Sequence, residues 1–566
     1  MNNLWSGIPV GEQLFLFSPM IALTATMLAI VAVPLLFGRG AKTVVGVSAI
    51  GIVVAFILAI RVAGGVSTGG VSGLSTSPGL GLLIADNLSA GFQIVLLAFL
   101  AGVTYLWWIG SSRREQNAPE FFILLLGSAF GMALMVSTTN LLMIVIAIET
   151  ASLPSYAMVG FDKRDRLGAE ASLKYMIFGA VCAAIMLYGA SLLYGLVGSL
   201  SVGEIARYTF DQFSGGQSVL LLSVGLLFFL AGILFKISAV PFHFWCPDAF
   251  QGARIEVTTW LSVASKAAGL ILLTRMVLLF CSVVDNAQSM HVIAPLAWTL
   301  GIIAAVTCTV GNFAAYKQES VKRLLAYSSI AHAGYMMMAA AVFLYAHEDG
   351  YTTSLSALLF YIVIYLFMNL GAFGVTALVG WNTGSDSIES FTGLIRRSPG
   401  LAIPMVVCLM SLVGLPPFAG FFGKWWILVA LGTMGKTLGW FLIIVAAVNT
   451  LISLYFYLRI VVQMTLRDRG AAPVECSIGG MALVNFCAVA LFALFLFAAP
   501  LKDKTDRLAN HLFDPLAAAS MTTSEADEIA PPFSQRVVAK PTQALLDPFQ
   551  PKPNPGSIQS NASRRP

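Results

Sequence analysis

Four ionisable side chains fall inside stretches apolar enough to cross a bilayer: Glu149 in 140–160, Lys236 in 217–242, Lys266 in 255–281 and Lys424 in 401–432. A charge at the centre of a spanning helix costs about 2.5–3.5 kcal/mol on insertion scales, so four of them imply a use. Groups of this kind at this depth carry ions or protons.

The elements that must hold these groups are membrane helices. Of the 566 residues 58% are apolar and only 10% charged, and mean hydropathy is +0.85, where soluble domains carry roughly 25% charged residues. Stretches of about 20 residues, enough for a helix to span ~30 Å of hydrocarbon, recur near 15–37, 43–63, 86–109, 119–138, 140–160, 169–198, 217–242, 255–281, 291–315, 321–345, 353–380, 401–432, 438–463 and 479–500. The expected fold is all-α and polytopic, with about 14 transmembrane helices. The first Lys or Arg is Arg39, so no basic segment precedes the first apolar run, which reads as a retained helix rather than a cleaved signal peptide.

Lys and Arg set the orientation. Connections after odd-numbered spans hold pairs or triplets such as Arg113 and Arg114, Lys163, Arg164 and Arg166, Lys317, Lys322 and Arg323, and Arg396 and Arg397; those after even-numbered spans hold only Arg207 and Lys436. Both termini are therefore expected on the non-cytoplasmic side of a multi-pass inner-membrane protein. The seven cysteines are scattered without a CxxC pair, so neither a metal site nor an iron–sulfur cluster is suggested, and no cofactor is expected in this chain.

Two spans are broken beside their lysines. Pro241 follows Lys236 by five residues, and Gly414 to Lys424 contains Pro416, Pro417, Gly420 and Gly423. Proline removes a backbone donor and clashes with the preceding turn. Backbone freed in this way is tolerated at membrane depth only where protein or water satisfies it again, so both breaks predict buried, hydrated sites. Lys236 and Lys424 lie 188 residues and five spans apart, and Ala171–Tyr175 resembles Ala357–Tyr361 at an offset of 186. Five spans reverse direction, so an inverted repeat of two five-helix units with broken helices 7 and 12 is expected. The domains read as three helices in 1–118, repeats in 119–281 and 291–463, a last helix in 464–500, and a proline-rich tail over 501–566. That tail reads as disordered or surface-draping, and either contributes no chemistry or clamps a neighbouring subunit.

Six segments carry a resemblance: Glu149–Tyr156, Ala169–Tyr175, Phe235–Trp245, Ser262–Gly269, Lys322–Tyr335 and Gly414–Lys424. Together, in this order, they resemble the antiporter-like membrane subunits of respiratory complex I, over roughly residues 85–465. Two features depart from that pattern: Gly252-Ala253-Arg254-Ile255 stands where a Gly-Ala-Pro-Thr-like turn is expected, and the tail has no counterpart. The resemblance implies a proton-translocating membrane-arm subunit of NADH-quinone oxidoreductase, with redox chemistry in other subunits. It implies that Glu149 pairs with Lys236, that Lys266 is the central carrier, that Lys424 passes protons outward, and that His332 and bound water bridge the two. The implied partners are other membrane-arm subunits, the lipid bilayer, protons and internal water, with no nucleic acid. The energy scale fits: moving one charge through the membrane potential involves about 2.3 kcal/mol per 100 mV, and one pKa unit is about 1.4 kcal/mol.

Each residue has a plainer alternative. Glu149 and Lys236 could form a structural ion pair, although such pairs stabilise poorly once desolvation is counted. Lys266 could be structural, Lys424 could snorkel to the outer surface, and His332 could be a hydrogen-bonded core histidine. Glu170 and Lys174 are spaced for an ordinary i,i+4 pair. Arg275 is expected to snorkel at the outer end of its span, and His243 to lie at the interface. For the whole chain the rival is a subunit of a multi-subunit Mrp-type cation/proton antiporter. Pro247-Asp248-Ala249-Phe250-Gln251-Gly252 argues against it, since those relatives usually carry a Pro-Asp-Ala-His-like stretch there. A passive scaffold is the third reading.

Overall fold

The computed structural model describes residues 14–37, 40–67, 82–110, 117–214, 220–281, 290–344, 348–467, 474 and 476–510. Residues 1–515 form one compact unit; the second, 516–566, lies outside the described residues. Every regular element described is helical. In chain order they are α1 (Ser18–Phe37), α2 (Ala41–Ser67), α3 (Asn87–Gly110), α4 (Ala118–Val136), α5 (Leu141–Val159), α6 (Arg166–Val197), α7 (Val202–Ser214), α8 (Leu220–Ile237) and α9 (Trp245–Gly252). Next come α10 (Ile255–Cys281), α11 (Met290–Ala315), α12 (Val321–Val342), α13 (Glu348–Thr383), α14 (Pro399–Val413), α15 (Gly420–Thr433), α16 (Thr437–Thr465) and α17 (Ile478–Leu496).

Among the described residues, eleven helices are long and apolar enough to cross a membrane, so this is a multi-pass membrane protein. Each apolar stretch read from the sequence holds at least one helix, and the stretch 401–432 holds two, α14 and α15. Helix α12 is not among the eleven, because Lys322, Arg323, Ser328, Ser329 and His332 dilute its apolar content. It is instead largely enclosed by the protein, packed against α9, α10, α11, α13, α15 and α16.

Local chemistry starts and stops the helices. Asn140 Oδ1 accepts from the Leu142 and Met143 amides, and Ser320 Oγ from Arg323, so polar N-caps satisfy donors that the first turn leaves free. Gly414, at φ 88°, ends α14 in the left-handed region that glycine enters at no steric cost.

One local arrangement occurs twice. The Leu141 amide donates to Leu200 O (2.9 Å) and Val202 to Thr139 O (3.0 Å); Val321 donates to Asp386 O (2.8 Å) and Ile388 to Glu319 O (2.8 Å). A Cβ at Gly131 would fall 2.3 Å from the Ala151 amide nitrogen, and one at Gly311 would fall 2.6 Å from that of Ala331. Gly131 and Gly311, and Ala151 and Ala331, are both 180 residues apart, so α4 with α5 and α11 with α12 make the same close backbone contact.

The tail begins as a helix. Residues 498–510 are helical, with Lys502 Nζ donating to Ser356 Oγ (3.0 Å) and lying 5.0 Å from the Trp426 ring centroid. The rest of the segment read as a tail, 511–566, lies outside the described residues.

Candidate functional site

The break after α8 leaves backbone groups that neighbouring side chains recover. Phe235 O accepts from Trp245 Nε1 (3.2 Å), Lys236 O from Ser265 Oγ (3.4 Å), and the Val240 amide donates to Thr307 Oγ1 (3.0 Å). This matches the requirement that polar backbone at membrane depth be satisfied within the protein. The break also turns Lys236 inward, where it is fully buried and donates to Ser152 Oγ at 3.1 Å. Glu149, one turn before Ser152, is half-buried and forms no ion pair among the described residues; its charge acts on Lys236 through space.

Lys266 comes directly after a π-helical turn, Leu261–Ser265, of the kind that inserts an extra residue and re-aims the next side chains. Fully buried, it donates to Ser329 Oγ, lies 3.6 Å from Cys246 Sγ and sits 5.3 Å from the Phe250 ring centroid. Ser329 and Cys246 are the partners that the sequence did not reveal.

Helix α12 then presents polar groups on successive turns. His332 Nδ1 is 2.6 Å from Tyr361 Oη and its Nε2 is 3.3 Å from Tyr457 Oη, which also bonds Ser328. Lys424 Nζ lies 4.6 Å from the Tyr335 ring centroid and donates to Val413 O (2.8 Å), a carbonyl exposed by the end of α14. At 8% exposure Lys424 is inside the protein and does not snorkel. The structure thus gathers Lys266, His332 and Lys424 around one helix, while Lys236 and Glu149 sit together in a separate group against α5.

Other polar residues lie between the spans. Asp248, on α9, accepts from Lys174 of α6 (3.0 Å) and Arg323 of α12 (2.6 Å), and Lys174 also bonds Glu170 (2.7 Å). Burial would raise the Asp248 carboxyl, but these two cations outweigh it and hold it below the usual carboxylate range. Arg254, the departure from the expected turn, makes a two-pronged bond to Asp162 and stacks 4.8 Å from the Phe161 ring centroid. The α9–α10 turn is thereby pinned to the α5–α6 connection.

Two expectations are corrected. Arg275 does not snorkel: it is 6% exposed and makes a bidentate pair with Asp86, NH1 to Oδ2 at 2.6 Å and NH2 to Oδ1 at 2.8 Å. Burial pushes the Asp86 carboxyl up, and Arg275 with the Ser89 amide and hydroxyl more than reverses that, leaving it lowered. Inside this chain His243 is 8% exposed and lies tilted against Phe244, ring centroids 4.4 Å apart, so it too is buried rather than interfacial.

Comparison with known proteins agrees with this geometry. The family described as "NADH:quinone oxidoreductase/Mrp antiporter, TM" matches residues 138–453. "NADH-quinone oxidoreductase subunit N" of Anaeromyxobacter sp. (strain Fw109-5) is 38% identical over 446 residues, covering 75% of this chain and 84% of that protein. A chain of respiratory complex I from Thermus thermophilus superposes with a TM-score of 0.68 at 29% identity, covering 86% of this chain and 98% of that one. A chain of the Mrp complex from Dietzia sp. DQ12-45-1b shares the fold, with a TM-score of 0.74, at 18% identity and 88% and 98% coverage.

Proposed function

The chain belongs to the family of antiporter-like, proton-translocating membrane subunits of NADH-quinone oxidoreductase, and on that premise we propose that its protons pass by Lys236, Lys266, His332 and Lys424, with Glu149 modulating the first. It is a membrane subunit of an oxidoreductase complex. Its own part is translocation, and the redox chemistry takes place in other subunits of the complex. Fourteen spans arranged as an inverted repeat, with both termini on the non-cytoplasmic side of the inner membrane, complete the reading. The glycine contacts that recur at an offset of 180, and the hydrogen bonds whose two sides recur at offsets of 180 and 186, support the repeat.

The observation that carries the path is helix α12. On it, Ser329 contacts Lys266, His332 contacts two tyrosines, and Tyr335 underlies Lys424, all within two turns and all buried. Buried lysines held by hydroxyls, a thiol and a carbonyl have no fixed counter-charge, so their protonation follows whatever charge moves nearby. Glu149 supplies one such charge. It lies half-exposed on a face that also exposes Leu142, Ile146 and Leu153. A carboxylate facing lipid there would be costly, which supports a neighbouring subunit covering that face.

An Mrp-type antiporter remains the competing reading, since the Dietzia structure shares the fold. The 38% identity to a subunit N favours the oxidoreductase. Purifying the native assembly and supplying NADH and quinone tests the choice: NADH oxidation coupled to proton movement is expected. An assembly that exchanges Na+ for protons without oxidising NADH would overturn it.

A further inference from the structure

The recurring arrangement lines up α5 and α12 residue by residue. Asn140 and Ser320 cap the two helices, and Ala151 and Ala331 meet the two glycines. The lysines after the corresponding breaks agree: Tyr175 packs on Phe235, ring centroids 6.0 Å apart, and Tyr361 packs against Gly423, each neighbour preceding its lysine by one residue. In this register His332 stands where Ser152 stands, and Ser329 stands where Glu149 stands. The second unit has therefore exchanged the carboxylate for a hydroxyl at this position.

That hydroxyl is engaged. Ser329 Oγ accepts from the Lys266 ammonium and donates its own proton to Ala326 O at 2.7 Å. Beside it lies the buried Tyr365 hydroxyl, which faces the Ser329 and Asn369 side chains, and the Tyr365 ring centroid is 5.2 Å from that of His332. A carboxylate touching Lys266 would fix the ammonium in a buried ion pair. A hydroxyl accepts and donates at once and holds no charge.

We propose that Ser329 is a relay hydroxyl, taking a proton from Lys266 and passing its own toward Tyr365, His332 and Lys424. The step balances: an N–H bond of Lys266 breaks as a new O–H bond forms on Ser329. The original Ser329 proton, rotated away from Ala326 O, leaves to the Tyr365 oxygen as the Tyr365 hydroxyl gives up its own proton toward His332, or it leaves to water. The proposal rests on the path given under the proposed function, and the alternative is an ordinary serine bonded back to its own helix.

The test uses the assembled complex in proteoliposomes, with NADH-driven acidification read by a pH dye and assembly checked on native gels. Ser329→Ala is expected to lower proton translocation about tenfold, the scale of one charge-assisted hydrogen bond, and to slow further in D2O. Ser329→Thr, which keeps the hydroxyl, is expected to pump within about twofold of the unsubstituted complex. Normal pumping by Ser329→Ala, or equal loss in the Thr variant, overturns the relay. Lys266→Ala separates the two levels. If it pumps at full rate the path itself fails, whereas loss in Lys266→Ala with normal Ser329→Ala refutes the relay alone.

Discussion

The approach of α4 to α5 makes a sharp test of how backbone packing holds the site. In Gly131→Ala the new methyl group would meet the Ala151 amide nitrogen at 2.3 Å and the Thr150 carbonyl carbon at 2.6 Å. Both are backbone atoms, so no side chain can swing aside, and α5 must retreat by about 1 Å to reach ordinary van der Waals distance. Ser152 is the next residue, and its bond to Lys236 is 3.1 Å long. The same retreat displaces Ser152 by about 1 Å, enough to disturb that bond. The packing cost is expected at about 1–3 kcal/mol. The assay pairs thermal unfolding of the purified complex with NADH-driven proton translocation, using Gly195→Ala as the control because no atom lies within 4 Å of its added Cβ. Both readouts should fall for Gly131→Ala and neither for Gly195→Ala. Unchanged pumping and stability in Gly131→Ala would refute the idea that this contact positions Ser152.

Asp86→Asn should lower the unfolding temperature at pH 7, because it leaves Arg275 buried without its counter-charge, a loss of about 3–5 kcal/mol for such pairs. The folded Asp86 carboxyl is lowered, so its contribution is complete above the unfolded value near 4 and is lost as pH falls through the folded one. The gap between Asp86→Asn and the unsubstituted protein should therefore narrow below about pH 4 in melts at graded pH. Arg254→Ala removes a clamp whose Asp162 partner is 43% exposed, so it should cost only roughly 1 kcal/mol in denaturation.

The fold class was legible because membrane helices announce themselves by length and hydropathy, and the breaks by proline and glycine. Lys236, Lys266 and Lys424 stood out because charge in an apolar stretch has no cheap explanation. Their partners did not. Ser152 and Ser329 read as small packing residues in a sequence, and Tyr361, Tyr365 and Tyr457 as apolar bulk. A signal was present, since Glu149 and Ser152, like Ser329 and His332, are three residues apart and so share a helix face. Arg275 was misread because its partner, Asp86, lies 189 positions away at the start of another helix. Such a pairing is a tertiary fact with no local pattern. The expected contact between Glu149 and Lys236 proved indirect, because Ser152 occupies the lysine's hydrogen-bonding position.

The central claim is that protons use the buried lysines of this subunit, and the direct measurement is the number of protons moved per NADH oxidised in complexes carrying Lys236→Ala or Lys266→Ala. Both variants should remain assembled, move fewer protons and oxidise NADH with quinone more slowly. Full translocation at the normal rate in both would contradict the account.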